Sequence, residues 1–323
     1  MTFGSSRTAF VLRRLVGLAV VVVLVSFLVF SLLYVAPGSP EQLLLGNSKT
    51  IDPETIRAVR SQYHLNGPFV ERYLNWAADA VRLDFGTSIR TSEPVAHGIA
   101  QRLSLTSQLA GLAFLVTLLI GVPLGVLAAV RRTKLVDRGV VFFSVVGLSA
   151  PAFASGVLLL YVFAVRLPWF PAFGQGAGVL DRLKHLVLPA SALALTATGL
   201  VVKITRASFV TELEKDYVTF ARARGISPSR VLFRFVLRNA ATPIVTAAGL
   251  ILAYMLAGSV LVEVTFALPG IGALLVDSVT SQDIPMVQGL AMLIAALVVV
   301  VNLVVDLVYP LIDPRIVFGK SAR

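Results

Sequence analysis

The sequence has no cysteine and only three histidines among its 323 residues. Without cysteine, the chain cannot form disulfides, thiolate nucleophiles or thiolate metal sites. His64, His97 and His185 are far apart and do not fit a metal-ligand spacing such as HExxH. No GxSxG motif occurs, and Pro314 stands where a P-loop ending in Gly319-Lys320-Ser321 would need its first glycine. We therefore expect no catalytic residue, metal site or cofactor in this chain.

Charged residues are also scarce, at 14% of the sequence against 57% hydrophobic residues. A soluble domain carries about a quarter charged residues, so this composition is typical of an integral membrane protein. Pro123, Pro151 and Pro189 are expected to kink or end the helices that contain them. Six runs without charge are long enough to cross a bilayer as helices: 15–36, 103–130, 139–165, 186–202, 240–262 and 284–305. The sequence predicts an all-α, polytopic membrane protein with six transmembrane helices.

Three segments of the chain differ in composition. Residues 1–36 hold the N-terminus and the first span, which is longer than the apolar core of about 7–15 residues in a signal peptide and is therefore expected to be retained. Residues 37–102 are polar, and we interpret them as a small extracytoplasmic cap with helices near 52–62 and 69–83. The aromatic residues expected to form its core are Tyr63, Phe69, Tyr73, Trp76 and Phe85. Residues 103–323 are predicted to form a five-helix core that includes a cytoplasmic loop, 203–239.

The distribution of charge predicts the orientation of these spans. With the N-terminus in the cytoplasm, eighteen of the 28 lysines and arginines fall on the cytoplasmic side and ten on the opposite side. Cytoplasmic loops of membrane proteins carry an excess of positive charge. The sequence therefore predicts that both termini are cytoplasmic. It also explains the net charge of +11 as a signal of topology, with no need for nucleic acid as a partner.

The segment 203–243 is the most strongly charged part of the chain, with eight positive and three negative residues. We predict one helix over 212–224, a break at Gly225, and a second helix opened by Ser227 and Pro228, since glycine favours helix ends and Ser-Pro favours helix starts. Helical spacing places Tyr217, Phe220, Ala221 and Arg224 on one face of the first helix. In the second helix it places together Leu232, Phe235, Val236 and Asn239, with a stripe formed by Arg230, Arg234 and Arg238.

Two interpretations of this helical pair remain open from the residues alone. An amphipathic helix on the membrane surface would bring the arginines to anionic lipid headgroups, and we expect the stripe to do so in part. A docking surface for another protein would explain the small residues Ala221, Ala223 and Gly225, which allow a close approach. We favour docking as the main role.

The residues of this segment resemble a known motif. The run from Asp216 to Gly225, DYVTFARARG, with Pro243 eighteen residues after the glycine, is similar to the EAA loop of ABC importer permeases. Phe220-Ala221-Arg222 stands where Glu-Ala-Ala is commoner. Further motifs in the same order resemble the B-type permease of the dipeptide, oligopeptide and nickel transport family. They include Ala36-Pro37-Gly38, Asp84-Phe85-Gly86-Thr87-Ser88, Leu188-Pro189-Ala190, Pro269-Gly270-Ile271-Gly272 and Asp313-Pro314-Arg315.

This resemblance implies a type I ABC importer permease fold in a bacterial inner membrane. It implies a second, homologous permease, two ATPase subunits that bind ATP and Mg²⁺, and an extracytoplasmic binding protein as partners. The loop 212–239 would couple the permease to an ATPase. The coupling residues would be Tyr217, Phe220, Ala221, Ala223, Arg224, Gly225, Ser227 and Pro228. The implied cargo is a di- or oligopeptide, with nickel, glutathione or another small solute as alternatives.

Four residues are weaker candidates for a gate or pathway. Pro269 and Gly270 precede the last span, where we expect a re-entrant or capping turn. Asn302 and Asp306 lie one turn apart within that span, and buried acids in membranes are often functional. The position of Asp306 near the cytoplasmic end favours a structural ion pair or hydrogen bond, with Arg315 or Tyr309, over a substrate ligand. An ion-coupled secondary transporter is the alternative from a different class, and it would need no docking loop.

Overall fold

The computed structural model describes residues 4–35, 54, 57, 60, 61 and 66–312. Within these residues the chain is almost entirely helical, and its β-structure is limited to one bridge between Thr87 and Pro94. Ala36-Pro37-Gly38, Tyr63, Asp313-Pro314-Arg315 and most of the helix predicted near 52–62 lie outside the described residues. The all-α fold class is confirmed.

Besides the isolated helical residues 54, 57, 60 and 61, twelve α-helices follow one another in the described part of the chain. They are α1 Gly4–Val35, α2 Phe69–Val81, α3 Val95–Val130, α4 Leu135–Ser149, α5 Ala152–Leu159, α6 Val179–Leu213, α7 Asp216–Ala223, α8 Pro228–Arg230, α9 Leu237–Gly258, α10 Val260–Thr265, α11 Ile271–Thr280 and α12 Ile284–Ile312. Two π-helical segments, Leu160–Arg166 and Val231–Val236, extend α5 and join α8 to α9.

Within the part of the chain that the structure describes, five helical stretches are long and apolar enough to cross a membrane. They are Val16–Tyr34, Val95–Val130, Val179–Leu213, Pro228–Leu256 and Ile284–Val308. The sixth predicted span, 139–165, is wrong as a single helix, because Leu135–Ser149 and Ala152–Arg166 meet at an angle of 102°. Pro151 explains this break: proline has no N–H to continue the helix, and it pushes the preceding Ala150 into an extended conformation (φ −86°, ψ 120°). Counting the bent pair as one span gives six.

The predicted loop 203–239 is shorter in the structure than in the sequence analysis. Helix α6 continues through Pro189 and through the charged residues Lys203 and Arg206 to Leu213. Residues 203–213 contain neither glycine nor proline, so nothing in the backbone ends the helix where the charge begins. The non-helical connections are therefore confined to residues 214–215 and 224–227.

The chain forms two compact units that alternate along the sequence. Of the described residues, the smaller unit holds those within 11–106 and 269–299, and the larger holds those within 4–10, 107–268 and 300–312. In the smaller unit, aromatic rings of α2 pack on α1: Phe69 lies 5.2 Å from Tyr34 and 5.8 Å from Phe27, centroid to centroid. Tyr73 and Trp76 join the same group, as predicted, but the core forms against the first span and α2 buries none of its own residues completely.

A buried carboxylate, Asp283, links two other parts of the smaller unit. Asp283 is 2% exposed and precedes α12, where it accepts a hydrogen bond from the backbone N–H of Met286 (3.3 Å). It also accepts hydrogen bonds from the Ser88 hydroxyl and the Ile89 N–H (3.2 Å). Asp283 thus caps the last long helix and fixes the loop that follows α2 to it.

In the larger unit, α3, α4 and α9 pack on α6, and glycines allow the close approach of α3. A Cβ added at Gly121 would lie 2.9 Å from the Val201 Cβ, and one at Gly125 would lie 2.6 Å from the Thr205 Cβ. The glycines of Gly121-x-x-x-Gly125 therefore allow α3 to pack closely against α6. A Cβ added at Gly199 would collide with the Ser144 carbonyl of α4. Helix α6 is the element on which this unit is built.

Candidate functional site

The candidate site is the pair of helices after α6, which we call the elbow and define as residues 212–239. Helix α6 ends at Leu213, and Lys215 is extended (φ −76°, ψ 147°) before α7 begins at Asp216. The prediction of one helix over 212–224 is therefore wrong at its start, because residues 214 and 215 separate α7 from α6. The predicted break at Gly225 and helix start at Pro228 agree with the structure.

The turn of the elbow depends on the backbone of Gly225. Its φ is +74°, in the left-handed region that glycine adopts without strain. The N–H of Gly225 donates to the Arg222 carbonyl (2.9 Å), and the N–H of Ile226 donates to the Ala221 carbonyl (3.2 Å). This pair of bonds is the Schellman arrangement that ends a helix. No atom outside the immediate chain lies within 4 Å of a Cβ added at Gly225, so only the backbone selects glycine here.

The second arm of the elbow is irregular in a way that the sequence did not indicate. Ser227 occupies the position before the helix without a side-chain capping bond, and its carbonyl accepts a hydrogen bond from the Val231 N–H (3.0 Å). The π-helical segment Val231–Val236 then brings Val231, Val236 and Ala240 to the buried side. Their spacing of five and four residues reflects the wider π turn. The predicted face is right for Val236 but wrong for Asn239, which is exposed.

The elbow has a buried inner side and an exposed outer side. Val218 and Ala221 of α7 are 0% and 7% exposed. They pack in one hydrophobic cluster with six other buried residues, which are Ala129, Phe209, Val231, Val236, Ala240 and Ile244. Phe220 points outward, with 67% of its surface exposed. The other exposed members of the predicted coupling set are Ala223, Arg224, Gly225, Ser227 and Pro228.

The predicted face of α7 therefore divides between the two sides. Ala221 is used for packing within the chain, so it offers no small surface to a partner. Tyr217 is half-buried, whereas Phe220 and Arg224 are exposed. The division arises because α7 has only eight residues and buries them against the chain's own cluster. Arg230, Arg234 and Arg238 are all exposed, so the predicted cationic stripe is present.

A chain of polar contacts joins the two ends of the elbow. The Tyr217 hydroxyl donates to the Glu212 Oε2 (2.7 Å) and accepts from the Asn239 Nδ2 (3.2 Å). The Lys215 Nζ donates to the other Glu212 oxygen (2.6 Å). Burial raises the pKa of Tyr217, and the hydrogen bond to the Glu212 carboxylate raises it further against the opposing effect of Asn239. Helical spacing does not connect Tyr217 to Glu212 or Asn239, because the breaks at residues 214–215 and 224–227 place the three residues on different helices.

Two ion pairs connect the first turn of α4 and the connection before it to the C-terminal part of α6. Arg206 donates to both carboxylate oxygens of Asp137 (2.6 and 2.8 Å), and Asp137 also accepts from the Thr133 N–H (3.0 Å). The Asp137 side chain is 6% exposed and that of Arg206 is 29% exposed. Arg132 pairs with Glu214 immediately before α7. The base of the elbow is therefore held on two sides by charge.

The weaker candidates for a gate or pathway lie directly before α11 and within α12. Gly270 is buried at the start of α11, where its carbonyl accepts a hydrogen bond from the Leu274 N–H (3.1 Å), and Pro269 beside it is exposed. Asp306 is 7% exposed and Asn302 is half-buried, one turn apart on α12 in the larger unit. The predicted partner Arg315 lies outside the described residues. Among the residues that are described, no group of His, Asp and Glu side chains could hold a metal ion.

Comparisons with known proteins agree with this architecture. The family model described as the binding-protein-dependent transport system inner membrane component matches residues 121–318, and the model of its N-terminal part matches residues 7–110. The chain is 40% identical over 310 residues to the probable peptide ABC transporter permease protein y4tP of Sinorhizobium fredii, covering 95% of this chain and 98% of that protein. It is 39% identical over 279 residues to the glutathione transport system permease protein GsiC of Escherichia coli, covering 86% and 89%.

Solved structures share the fold at lower sequence identity. An inward-facing structure of the MetNI methionine ABC transporter matches with a TM-score of 0.56 and 17% identity, over 67% of this chain and 96% of that chain. A second crystal form of the same transporter matches with a TM-score of 0.54. The chain belongs to the family of binding-protein-dependent transport system inner membrane components, and it has the fold of ABC importer permeases.

Proposed function

We propose that this chain is the permease subunit of an ATP-driven importer of di- or oligopeptides. It forms the translocation pathway with a second, homologous permease, receives solute from an extracytoplasmic binding protein, and contacts one of two ATPase subunits through the elbow. The observation that carries the proposal is the two-sided elbow, in which a buried inner side supports an exposed outer side centred on Phe220. ATP and Mg²⁺ bind to the ATPases, and this chain carries out no chemistry.

The placement of the chain follows from the same proposal. It spans the inner membrane of a bacterium with both termini in the cytoplasm, and the excess of positive residues on that side supports this orientation. The elbow then faces the cytoplasm, where the ATPases are. The 37–102 segment faces the binding protein.

The elbow is suited to transmit movement because its inner side is packed on the transmembrane helices. Val218 and Ala221 lie against Phe209 of α6 and Ala240 of α9. When the ATPases close on ATP, a displacement of α7 moves these two helices, and their rotation opens the pathway to the other side. The contacts that receive the ATPase are the exposed ones: Phe220, Ala223, Arg224, Gly225, Ser227 and Pro228.

Peptides are the proposed cargo because the relative from Sinorhizobium fredii is named a peptide transporter permease. Glutathione is the second candidate, favoured by the similarity to GsiC. Glutathione is itself a peptide, so both candidates present an amino group, a carboxylate and amide bonds to the pathway. Nickel would require ligands of a different kind.

The test is uptake by the complete complex in proteoliposomes. We expect labelled peptide to accumulate when ATP is supplied, and we expect this accumulation to continue when the proton gradient is collapsed. Phe220→Ala should lower uptake at least several-fold. Phe173→Ala is the matched control, because Phe173 is also exposed, at 60%, and lies outside the elbow. Uptake that depends on the proton gradient and not on ATP would contradict the importer and favour an ion-coupled transporter. Equal uptake by the two variants would contradict the role of the elbow.

A further inference from the structure

We infer that Tyr217 is a positioning residue for coupling, which fixes the elbow to the ends of α6 and α9 through Glu212 and Asn239. The inference rests on the proposed function, since it assumes that the elbow receives the ATPase. It changes the role predicted for Tyr217 from contact with the partner to control of the angle at which α7 is presented. It also adds two residues, Glu212 and Asn239, to the coupling machinery.

Glu212 is a buried hydrogen-bond acceptor at the end of α6. This residue lies on the last turn of α6, and its side chain is 11% exposed. A buried carboxylate is costly unless its oxygens are hydrogen-bonded. Here both oxygens are used, Oε1 by Lys215 and Oε2 by Tyr217. The end of α6 therefore contains an acceptor that is satisfied only when residues 215–217 take the observed path.

The hydroxyl of Tyr217 is both a hydrogen-bond donor and a hydrogen-bond acceptor. It donates to Glu212 at 2.7 Å and accepts from Asn239 at 3.2 Å. Glu212 is the first residue of the elbow and Asn239 is the last, so the phenol group of Tyr217 joins the two ends of this segment. The bond to the Glu212 carboxylate is charge-assisted, and such a bond is stronger and more directional than a bond between neutral groups.

Apolar packing and the turn at Gly225 are further contacts of α7. Val218 and Ala221 hold the helix by apolar packing, which has no preferred direction. The Schellman turn at Gly225 fixes the exit of α7 but not its orientation to α6. The Lys215–Glu212 and Arg132–Glu214 pairs hold the connection before α7, and the bonds of Tyr217 add a directional restraint from α7 itself to both neighbouring helices. Without them, we expect α7 to stay folded and attached but to adopt a wider range of angles.

The experiment compares the uptake of peptide per ATP hydrolysed in the reconstituted complex. Tyr217→Phe removes the hydroxyl and keeps the ring, so we expect the complex to assemble and hydrolyse ATP while uptake per ATP falls several-fold. Glu212→Ala should have the same effect, whereas Glu212→Gln keeps an acceptor for Tyr217 and should restore most of the uptake. Tyr161→Phe is the control, since it also loses a hydrogen bond, from Arg166, outside the elbow.

A direct measurement of the elbow angle complements this assay. Because the chain has no cysteine, cysteines introduced at Ala223 and Arg131 carry the only two spin labels. We expect Tyr217→Phe to widen the distribution of distances between the labels, and Glu212→Gln to leave it close to that of the unchanged chain. If Tyr217→Phe does not assemble, Asn239→Ala takes its place, and it should also widen the distribution.

The outcomes separate this inference from the proposed function. Unchanged uptake per ATP and an unchanged distribution in Tyr217→Phe would overturn the positioning role. If Phe220→Ala still lowered uptake in that case, the proposed function would stand. Loss of uptake in Glu212→Gln equal to that in Glu212→Ala would also contradict the inference, because the acceptor alone would then be insufficient. If neither Phe220→Ala nor Tyr217→Phe had an effect, the proposed function itself would fail.

Discussion

Replacement of Gly225 by alanine tests the backbone of the elbow separately from its partner. The residue has a φ of +74°, and the left-handed conformation costs a non-glycine residue about 1–2 kcal/mol. A Cβ at this position meets nothing within 4 Å, so no steric term is added. We therefore expect Gly225→Ala to lower the free energy of opening of the elbow by about 1–2 kcal/mol, which corresponds to about 5–30-fold faster exchange of the protected Ile226 amide.

Three further variants make this prediction specific. Gly225→Asn should exchange more slowly than Gly225→Ala, because asparagine tolerates the left-handed region better. Gly111→Ala is the control, since Gly111 lies within α3 with no atom near an added Cβ, and alanine there should be neutral or stabilising. Gly225→Trp has the same backbone strain as Gly225→Ala and should also exchange faster, but it should lose more uptake, because its bulk lies on the exposed side of the elbow that meets the partner. Equal exchange in Gly225→Ala and the unchanged chain would refute the reasoning.

Three other predictions concern packing, charge and pH. Gly125→Ala should destabilise the protein by about 1–3 kcal/mol through overpacking on α6, while Gly111→Ala on the same helix should not, as thermal unfolding in detergent would detect. Asp137→Ala should cost about 1–3 kcal/mol, less than the loss of a fully buried ion pair, because the Arg206 side chain remains 29% exposed. The pKa of Tyr217 is raised in the folded protein, so its absorbance should titrate above about pH 10. The contribution of Tyr217 to stability should therefore be complete below about pH 10 and should disappear as the pH rises through the pKa of the folded state.

The sequence predicted the helices of the chain better than their ends. Runs without charge located the spans because a bilayer excludes charge over a fixed length. Charge was a poor guide to where helix α6 ends, since Arg206 remains helical and is compensated by Asp137, 69 residues earlier. Pro151 was recognised as a possible break, but the angle of 102° depends on packing that one sequence does not reveal.

The sequence predicted where the candidate site lies and where it turns, but not which of its residues are buried and which are exposed. Gly225 and Pro228 marked the turn because few residues suit those backbone positions. Burial was harder to predict: Ala221 belongs to the inner side, and the π-helical segment moves Val231 inward and Asn239 outward. Such a segment has no clear sequence signature. The bond between Tyr217 and Asn239 follows from that irregularity, so periodicity alone could not have found it.

The most direct test of the elbow as the coupling element is site-specific cross-linking in the assembled complex. The chain has no cysteine, so Phe220→Cys introduces a single thiol on the outer side of α7, and Ser281→Cys introduces one on an exposed position of the smaller unit. We predict that a short bifunctional reagent links the cysteine at position 220 to an ATPase subunit, and that the yield changes when ATP is bound. A cross-link to the ATPase from position 281, and none from position 220, would contradict the account.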